Sequence, residues 1–195
     1  MPNRIFGFIF LGGLVATTAI RLPYGRRHRR PRVAQRRGEP VVVSLLMALW
    51  GLAQIAAVLR VLTPWLTFAD YRMPTWTGVV GAAVYVAGLW LLWRSHTDLG
   101  RHWSPTLEIK DGHALATDGV YGLIRHPMYA AHWLWVIAQP LLLQNWIAGP
   151  PALAVFLPLY LLRVPREERM LLDHFGNAYR SYMNRTGRLI PRLRR

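Results

Sequence analysis

The distribution of apolar residues divides the chain into five hydrophobic runs separated by polar segments. The runs cover residues 5–20, 41–62, 76–93, 128–143 and 146–162. A helix rises 1.5 Å per residue, so about 20 apolar residues are needed to cross the hydrocarbon core of a bilayer. The pattern therefore predicts an all-α, polytopic membrane protein with five transmembrane helices in a single domain, residues 1–195.

The last two runs are brief for membrane spans, and only Gln144 and Asn145 separate them. So short a connection predicts a tight antiparallel helical hairpin. Pro150, Pro151 and Pro158 predict kinks or a later helix start, because proline cannot donate the backbone hydrogen bond of a helix interior. The N-terminal run is followed by an arginine cluster rather than by a signal-peptide cleavage site, so we retain it as a span.

The uneven distribution of basic residues predicts the orientation in the membrane. The formal net charge is +15, although charged residues make up only 17% of the chain and hydrophobic residues 53%. Residues 21–40, 94–127 and 163–195 carry eight, four and nine of the 24 basic residues. Cytoplasmic loops carry the excess of Lys and Arg, so these segments and the C-terminus are expected in the cytoplasm and the N-terminus outside. Such a charge also suits a nucleic-acid partner, but five apolar runs leave no soluble basic face for one.

Several common kinds of catalytic and cofactor site are excluded by the sequence. The chain has no cysteine, which rules out disulfides, a thiolate nucleophile and thiolate zinc sites. His126 and His132 are six residues apart and do not share a helix face, so no metal site is predicted. Neither a nucleophile-elbow serine nor a G-x-G-x-x-G motif after a strand occurs, so the usual soluble cofactor folds are not expected.

Residues 119–129 concentrate glycine, tyrosine, arginine, histidine and proline at the start of the fourth apolar run. Pro127 suits the first turn of a helix, where the missing N–H has no partner to lose. The amides there carry partial positive charge and favour a carboxylate or phosphate ligand, although a plain helix start explains these residues equally well. After the fifth run, Arg163 and Glu167 are four apart and share a helix face, for which a solvated helix start is the simpler interpretation.

Four motifs occur in order between about residues 98 and 191. They are Gly119-x-Tyr121-x-x-x-Arg125-His126-Pro127-x-Tyr129, Arg163-x-x-x-Glu167-Glu168, Phe175-Gly176-x-x-Tyr179-x-x-Tyr182 and Thr186-Gly187-Arg188-Leu189-Ile190-Pro191. In this combination the chain resembles the isoprenylcysteine carboxyl methyltransferase family, and is most similar to its prokaryotic members. The R-H-P-x-Y element alone also occurs in phospholipid N-methyltransferases and in sterol reductases that use NADPH, but the double glutamate and the tail favour a methyltransferase.

The resemblance implies that S-adenosylmethionine binds in a cytoplasm-facing pocket capped by the C-terminal segment, and that a lipophilic substrate enters sideways from the bilayer. Arg163 and Glu167 are then the expected catalytic residues, and Arg163 is expected to hold the substrate carboxylate. Glu108 and Lys110 are expected to make a further cofactor contact. The other cofactor-binding residues implied by the family are His113, Ala114, Leu115, Ala116, Tyr121, His126, Pro127, Met128, Tyr129 and Glu167.

The expected activity is methylation of a carboxylate on a lipophilic, isoprenylcysteine-like molecule. A carboxylate is ionised at neutral pH and needs no general base, which agrees with the lack of an obvious base in these motifs. Methylation of a phospholipid or other amine and NADPH-dependent reduction remain open alternatives. A non-enzymatic alternative is a membrane scaffold whose arginine-rich loop binds anionic lipid. The sequence identifies neither the methyl acceptor nor an oligomeric state.

Overall fold

The computed structural model describes residues 4–28, 33–36, 38, 40–100, 108–110 and 115–192. These residues form six α-helices and one two-stranded antiparallel ribbon. In chain order the elements are α1 (Arg4–His28), β1 (Val33–Arg36), α2 (Val41–Leu62), α3 (Thr75–Leu99), β2 (Glu108–Lys110), α4 (Pro127–Leu143), α5 (Pro150–Phe175) and α6 (Asn177–Arg185).

Three of the described helices are long and apolar enough, by length and composition, to cross a membrane. They are Arg4–Tyr24, Val41–Leu62 and Thr75–Leu99, which correspond to the first three predicted spans. Large apolar side chains on them, such as Phe8 and Trp90, are more than half exposed, as a surface in contact with lipid requires. Since α4 has 17 residues and only the first part of α5 is apolar, the crossing of the last hairpin stays a prediction.

Three helices extend beyond the apolar runs that predicted them. The helices α1, α3 and α5 continue for 8, 6 and 13 residues past those runs, so the first part of the polar segment 21–40 is helical. The additional helical turns make contacts that the pattern of apolar residues does not predict. The rings of Tyr24 and His96 are 5.3 Å apart, and Arg94 forms an ion pair with Asp98 one turn later at 2.9 Å.

A short ribbon joins two segments that the sequence presents as polar loops. Strand β1 pairs with β2 so that Val33 lies opposite Lys110 and Arg36 opposite Glu108. The all-α prediction holds for the helical body but missed these strands, because three or four residues carry too little alternation to be recognised. The ribbon places the backbone of β2 beside the segment that leads into α2.

The helices α4 and α5 form the predicted hairpin, and Pro127 occupies the first turn of α4 as expected. The connection is longer than two residues, because α5 begins at Pro150 rather than at residue 146. Asn145 closes the turn, since its Oδ1 accepts hydrogen bonds from the amides of Ile147 at 3.0 Å and Ala148 at 2.9 Å. Proline favours the first helical turn, which explains the later start.

At the end of the bundle where α2 finishes, Arg60 and Asp70 are paired with each other. Arg60 donates from Nε and Nη2 to the two carboxylate oxygens of Asp70, both at 2.6 Å. Asn145 donates from Nδ2 to Asp70 Oδ1 at 2.8 Å. An arginine near the end of a span is expected to extend toward lipid headgroups, but here the planar guanidinium matches a nearby carboxylate in a bidentate pair.

The central helix of the core is α4. Trp135 of α4 packs with Phe10 of α1 and Tyr85 of α3 in one buried cluster. The next residue, Val136, packs with Phe156 of α5 in a second cluster. Successive helical residues point roughly 100° apart, so one helix serves both clusters. Packing on two sides fixes the position of α4 and, with it, the N-terminal end that carries the predicted site.

Candidate active site

The site forms where the end of α3, the turn Gly119–Gly122, the start of α4 and the second half of α5 meet. Asp98 ties the turn to α3, because its Oδ2 accepts a hydrogen bond from the amide of Val120 at 2.9 Å. Gly119 has a φ of 57°, and a Cβ at this position would lie 2.1 Å from Asp98 Oδ2. Glycine alone permits both the conformation and the close approach.

Tyr121 is buried and connects α3 with α6. Its hydroxyl donates to the carbonyl of Ser95 at 3.3 Å, and its own carbonyl accepts a hydrogen bond from the hydroxyl of Tyr182 at 2.7 Å. Burial raises the pKa of Tyr121, and burial, partly offset by Arg125, raises the pKa of Tyr182 to about 12. Both phenols therefore remain protonated donors. Because the hydroxyl of Tyr121 already donates to Ser95, the cofactor contact predicted for Tyr121 would be made by its ring.

Three basic side chains contact the carboxylate of Glu168 of α5. Its Oε1 accepts a hydrogen bond from Arg125 Nε at 2.7 Å and lies 3.2 Å from His126 Nε2. Arg188, in the segment after α6, donates from Nε and Nη2 to the two carboxylate oxygens. Burial by itself would raise the pKa of Glu168, but the hydrogen bonds from His126, Arg188 and Arg125 outweigh it and lower the pKa to about 2. Glu168 is therefore an anion at every physiological pH.

The segment after α6 lies against the start of α4 through backbone hydrogen bonds. The amide of Arg125 donates to the carbonyl of Gly187 at 2.9 Å, and that of His126 donates to the carbonyl of Arg188 at 3.1 Å. Arg125 also donates from Nη1 to the carbonyl of Thr186 at 2.7 Å. Residues 186–188, which we call the C-terminal strap, are thus attached to the same two residues that contact Glu168.

Glu167 faces the first turn of α4. The hydroxyl of Tyr129 donates to Glu167 Oε2 at 3.1 Å, and the rings of Tyr129 and His126 meet edge-on with centroids 5.6 Å apart. His126 is buried, and among the described residues no side chain caps α4 at its N-terminus. The structure therefore brings together a carboxylate, a phenol, an imidazole and the outward-pointing amides of a helix start, all from residues that the sequence singled out.

The other predicted site residues are placed with differing precision. Arg163 is half-buried on α5, one turn before Glu167. In the described part of the chain, the side chain of Glu167 is hydrogen-bonded to Tyr129. The carbonyl of Met128 lies 2.6 Å from Nδ1 of His132, and Pro127 is fully buried. Leu115 and Ala116 are half-buried ahead of the turn Gly119–Gly122, Glu108 and Lys110 belong to β2, and His113 and Ala114 lie outside the described residues.

Sequence reasoning missed the roles of Arg125, Glu168 and Arg188, although all three stand in the quoted motifs. A signal was present in the acidic residues, because Glu167 and Glu168 are adjacent within a segment that otherwise carries nine basic residues. Successive residues of a helix point to different faces, so one glutamate can face the first turn of α4 while the other anchors the C-terminal strap. The sequence does not show which glutamate does which.

Comparisons with known proteins find similar sequences over the region that holds the site. Residues 80–173 match the model of the isoprenylcysteine carboxyl methyltransferase (ICMT) family. Protein-S-isoprenylcysteine O-methyltransferase B of Arabidopsis thaliana is 26% identical over 144 residues, which are 73% of this chain and 73% of that protein. Protein-S-isoprenylcysteine O-methyltransferase of Homo sapiens is 29% identical over 139 residues, covering 67% of this chain and 49% of the human protein.

A solved structure supports the fold. The eukaryotic intramembrane Ras methyltransferase ICMT superposes with a TM-score of 0.52 at 24% identity, over 77% of this chain and 51% of that chain. This chain thus spans about half the length of the human relative and of the solved eukaryotic protein. Residues 80–173, which contain most of α3, all of α4 and most of α5, therefore match the isoprenylcysteine carboxyl methyltransferase family of membrane methyltransferases, and the chain shares the fold of a solved member.

Proposed function

We propose that this protein transfers a methyl group from S-adenosylmethionine to the carboxylate of a lipophilic, isoprenylcysteine-like molecule at the membrane surface. The observation that carries the proposal is the family match over residues 80–173, which includes the start of α4 and both Arg163 and Glu167 of α5. The similar proteins from Arabidopsis thaliana and Homo sapiens are named as protein-S-isoprenylcysteine O-methyltransferases, which supports this class of acceptor.

The groups at the start of α4 suit the amino acid end of S-adenosylmethionine. The first-turn amides of Met128 and Tyr129 point out of the helix, where partial positive charge favours a carboxylate. Glu167, within 3.1 Å of the Tyr129 hydroxyl, offers a carboxylate for the ammonium group. The residues present therefore fit this cofactor, which supplies an electrophilic methyl sulfonium when bound.

Arg163 is our candidate for the acceptor carboxylate. A guanidinium binds a carboxylate through two parallel hydrogen bonds, and Arg163 lies one helical turn from Glu167 on α5. An acceptor carboxylate is already ionised at neutral pH, so the chain does not have to remove a proton from it. The work left to Arg163, Glu167 and Tyr129 is to align the reacting groups and to exclude water.

The activity test uses the full chain in detergent with methyl-labelled S-adenosylmethionine and N-acetyl-S-farnesylcysteine as acceptor. We expect a base-labile methyl ester, and no labelling of the same compound when its carboxylate is already esterified. The Glu167→Gln variant should lose cofactor binding, whereas Asp118→Asn, a matched change of an exposed carboxylate, should retain it. Labelling of phosphatidylethanolamine instead of the carboxylate, or cofactor binding unaffected by Glu167→Gln, would contradict the proposal.

We also propose that α4 and α5 cross the bilayer, that the site, with the C-terminal strap as its cap, faces the cytoplasm, and that the N-terminus lies outside. The support is the concentration of basic residues in segments 21–40, 94–127 and 163–195, as cytoplasmic segments require. The cysteine-free chain allows single-cysteine variants. A membrane-impermeant maleimide applied to intact cells should label Arg72→Cys and not Asn177→Cys; the reverse pattern would refute this orientation.

A further inference from the structure

A cavity lies at the end of the bundle opposite Glu168. It has a volume of about 570 Å³ and opens between the first turns of α1, the end of α2 with the loop that follows, and the end of α4. Among the residues that the structure describes, none of those in the proposed methyl-transfer site lines it. Its charged lining consists of Arg4, Arg60 and Asp70, and its apolar lining includes Phe8, Leu62 and Leu143.

The charge of this cavity is unusual for its place in the chain. Only three of the 24 basic residues lie outside segments 21–40, 94–127 and 163–195, namely Arg4, Arg60 and Arg72. Two of these three, Arg4 and Arg60, line the same cavity. A membrane protein carries few basic residues on its non-cytoplasmic side. In this protein, two of the three basic residues outside the basic segments line one cavity.

Among the described residues that line the cavity, two are basic and one is acidic, so a positive charge remains. Asp70 accepts both of its hydrogen bonds from Arg60 and a third from Asn145, so this carboxylate is neutralised by one arginine. Arg4 is exposed on the first turn of α1, which leaves one net positive charge on the cavity. Asp70 is bound by Arg60, and the guanidinium of Arg4 is well suited to bind the oxygens of a phosphate group.

The apolar lining comes from α1, α2 and α4, and we call the space that it borders between α1 and α2 the slot. Phe8 and Leu62 stand on α1 and α2 and are 60% and 63% exposed, whereas Leu142 and Leu143 of α4 are only 4% exposed. Exposed apolar side chains at the mouth and buried ones behind them offer a hydrocarbon surface that continues from the bilayer inward. The acyl chain of a lipid can pack against such a surface, whereas a free phosphate ion has no apolar part to bury there.

We propose that this cavity binds one anionic phospholipid, with an acyl chain in the slot between α1 and α2 and the phosphate at Arg4 and Arg60. The charge selects an anionic over a zwitterionic headgroup, because each basic residue near the membrane surface adds attraction for anionic lipid. The apolar walls select a lipid over an inorganic anion. The site is separate from the one proposed for methyl transfer, so the two proposals can fail independently.

Native mass spectrometry of the delipidated full chain in non-ionic detergent tests the proposal. Phosphatidylglycerol and phosphatidylcholine are offered in equal amounts, and we expect one tightly held phosphatidylglycerol that inorganic phosphate does not displace. Arg4→Gln should weaken its binding about fivefold, whereas Arg72→Gln, a matched control outside the cavity lining, should not. Arg60 is left unchanged in this test, because removing it strands the partly buried charge of Asp70.

A second pair of variants tests the slot without touching a charge. Leu62→Trp fills the mouth of the cavity and should reduce retention of the bound lipid, whereas Leu52→Trp, also on an exposed face of α2, should leave it unchanged. Equal retention of the two lipids, displacement by inorganic phosphate, or equal effects of Arg4→Gln and Arg72→Gln would each overturn the proposal.

Discussion

Arg125, two residues before α4, and Glu168 in α5 are joined by a hydrogen bond of 2.7 Å from Nε to Oε1. Both side chains are largely buried, with exposed fractions of 11% and 7%. Arg125 also reaches the carbonyl of Thr186, so this pair is the point where α4, α5 and the C-terminal strap meet. Because Glu168 is fixed in this way, its neighbour Glu167 is held toward Tyr129, and the predicted cofactor groups lie together.

The Arg125–Glu168 pair predicts a specific dependence of stability on acid. The pKa of Glu168 is about 2 in the folded protein, below its usual value of 4.5. Its stabilising contribution is therefore complete above pH 4.5 and is lost as the pH falls toward 2. A shift of this size corresponds to roughly 3 kcal/mol of unfolding free energy. Thermal unfolding in non-ionic detergent from pH 6 to pH 2.5 measures it.

The Glu168→Gln variant should unfold at a lower temperature at pH 6 and lose part of the acid dependence, because glutamine cannot carry the charge that the three donors stabilise. Asp118→Asn, which changes an exposed carboxylate, should keep the acid dependence of the parent protein. Parallel acid profiles for the parent chain and Glu168→Gln would show that Glu168 does not have the low pKa described above.

Tyr129→Phe should weaken the binding of S-adenosylmethionine about tenfold, since it removes the hydrogen bond that orients Glu167 and a bond to a charged group is among the stronger ones. Calorimetric titration of the purified protein measures the affinity. Tyr71→Phe is the control, because Tyr71 donates to the carbonyl of Pro140 at the other end of the bundle. It should lower thermal stability and leave affinity unchanged; equal affinity losses in both variants would count against a role for Tyr129 at the site.

Gly187→Ala should detach the C-terminal strap. A Cβ at Gly187 would lie 1.7 Å from the carbonyl oxygen of Ile190, so the backbone must move away from its bond with Arg125. We expect faster proteolysis of the chain after α6 and weaker cofactor binding. Gly51→Ala, where a Cβ meets nothing within 4 Å, is the control and should change neither. An unchanged proteolysis rate in Gly187→Ala would show that the strap is not held as described.

Arg163→Lys should raise the KM for the lipid acceptor about tenfold while leaving the affinity for S-adenosylmethionine unchanged, because lysine cannot reproduce the bidentate bond to a carboxylate. Steady-state kinetics at saturating cofactor, with a separate binding titration, distinguish the two effects. Arg169→Lys, an exposed position on the same helix, should behave as the parent protein. A loss of cofactor affinity in Arg163→Lys would show that Arg163 binds the cofactor and not the acceptor.

Much of the helical body follows from the sequence alone. The apolar runs located the five long helices, Pro127 marked the start of α4, and the motif residues His126, Tyr129 and Glu167 were identified before their contacts were known. These features are local, since an apolar period reports one helix face and proline reports the geometry of its own turn. The resemblance to the isoprenylcysteine carboxyl methyltransferase family was also correctly predicted, because it depends on the order and spacing of motifs.

The partners of the charged residues were decided by tertiary structure. Arg60 binds Asp70 instead of extending toward lipid, and the role of Glu168 depends on Arg125 and on Arg188, 43 and 20 positions away. The polar ends of α1, α3 and α5 likewise remain helical beyond their apolar runs. A charged side chain makes its bond with whatever the packed helices bring within about 3 Å, and helix packing joins residues that the sequence leaves far apart.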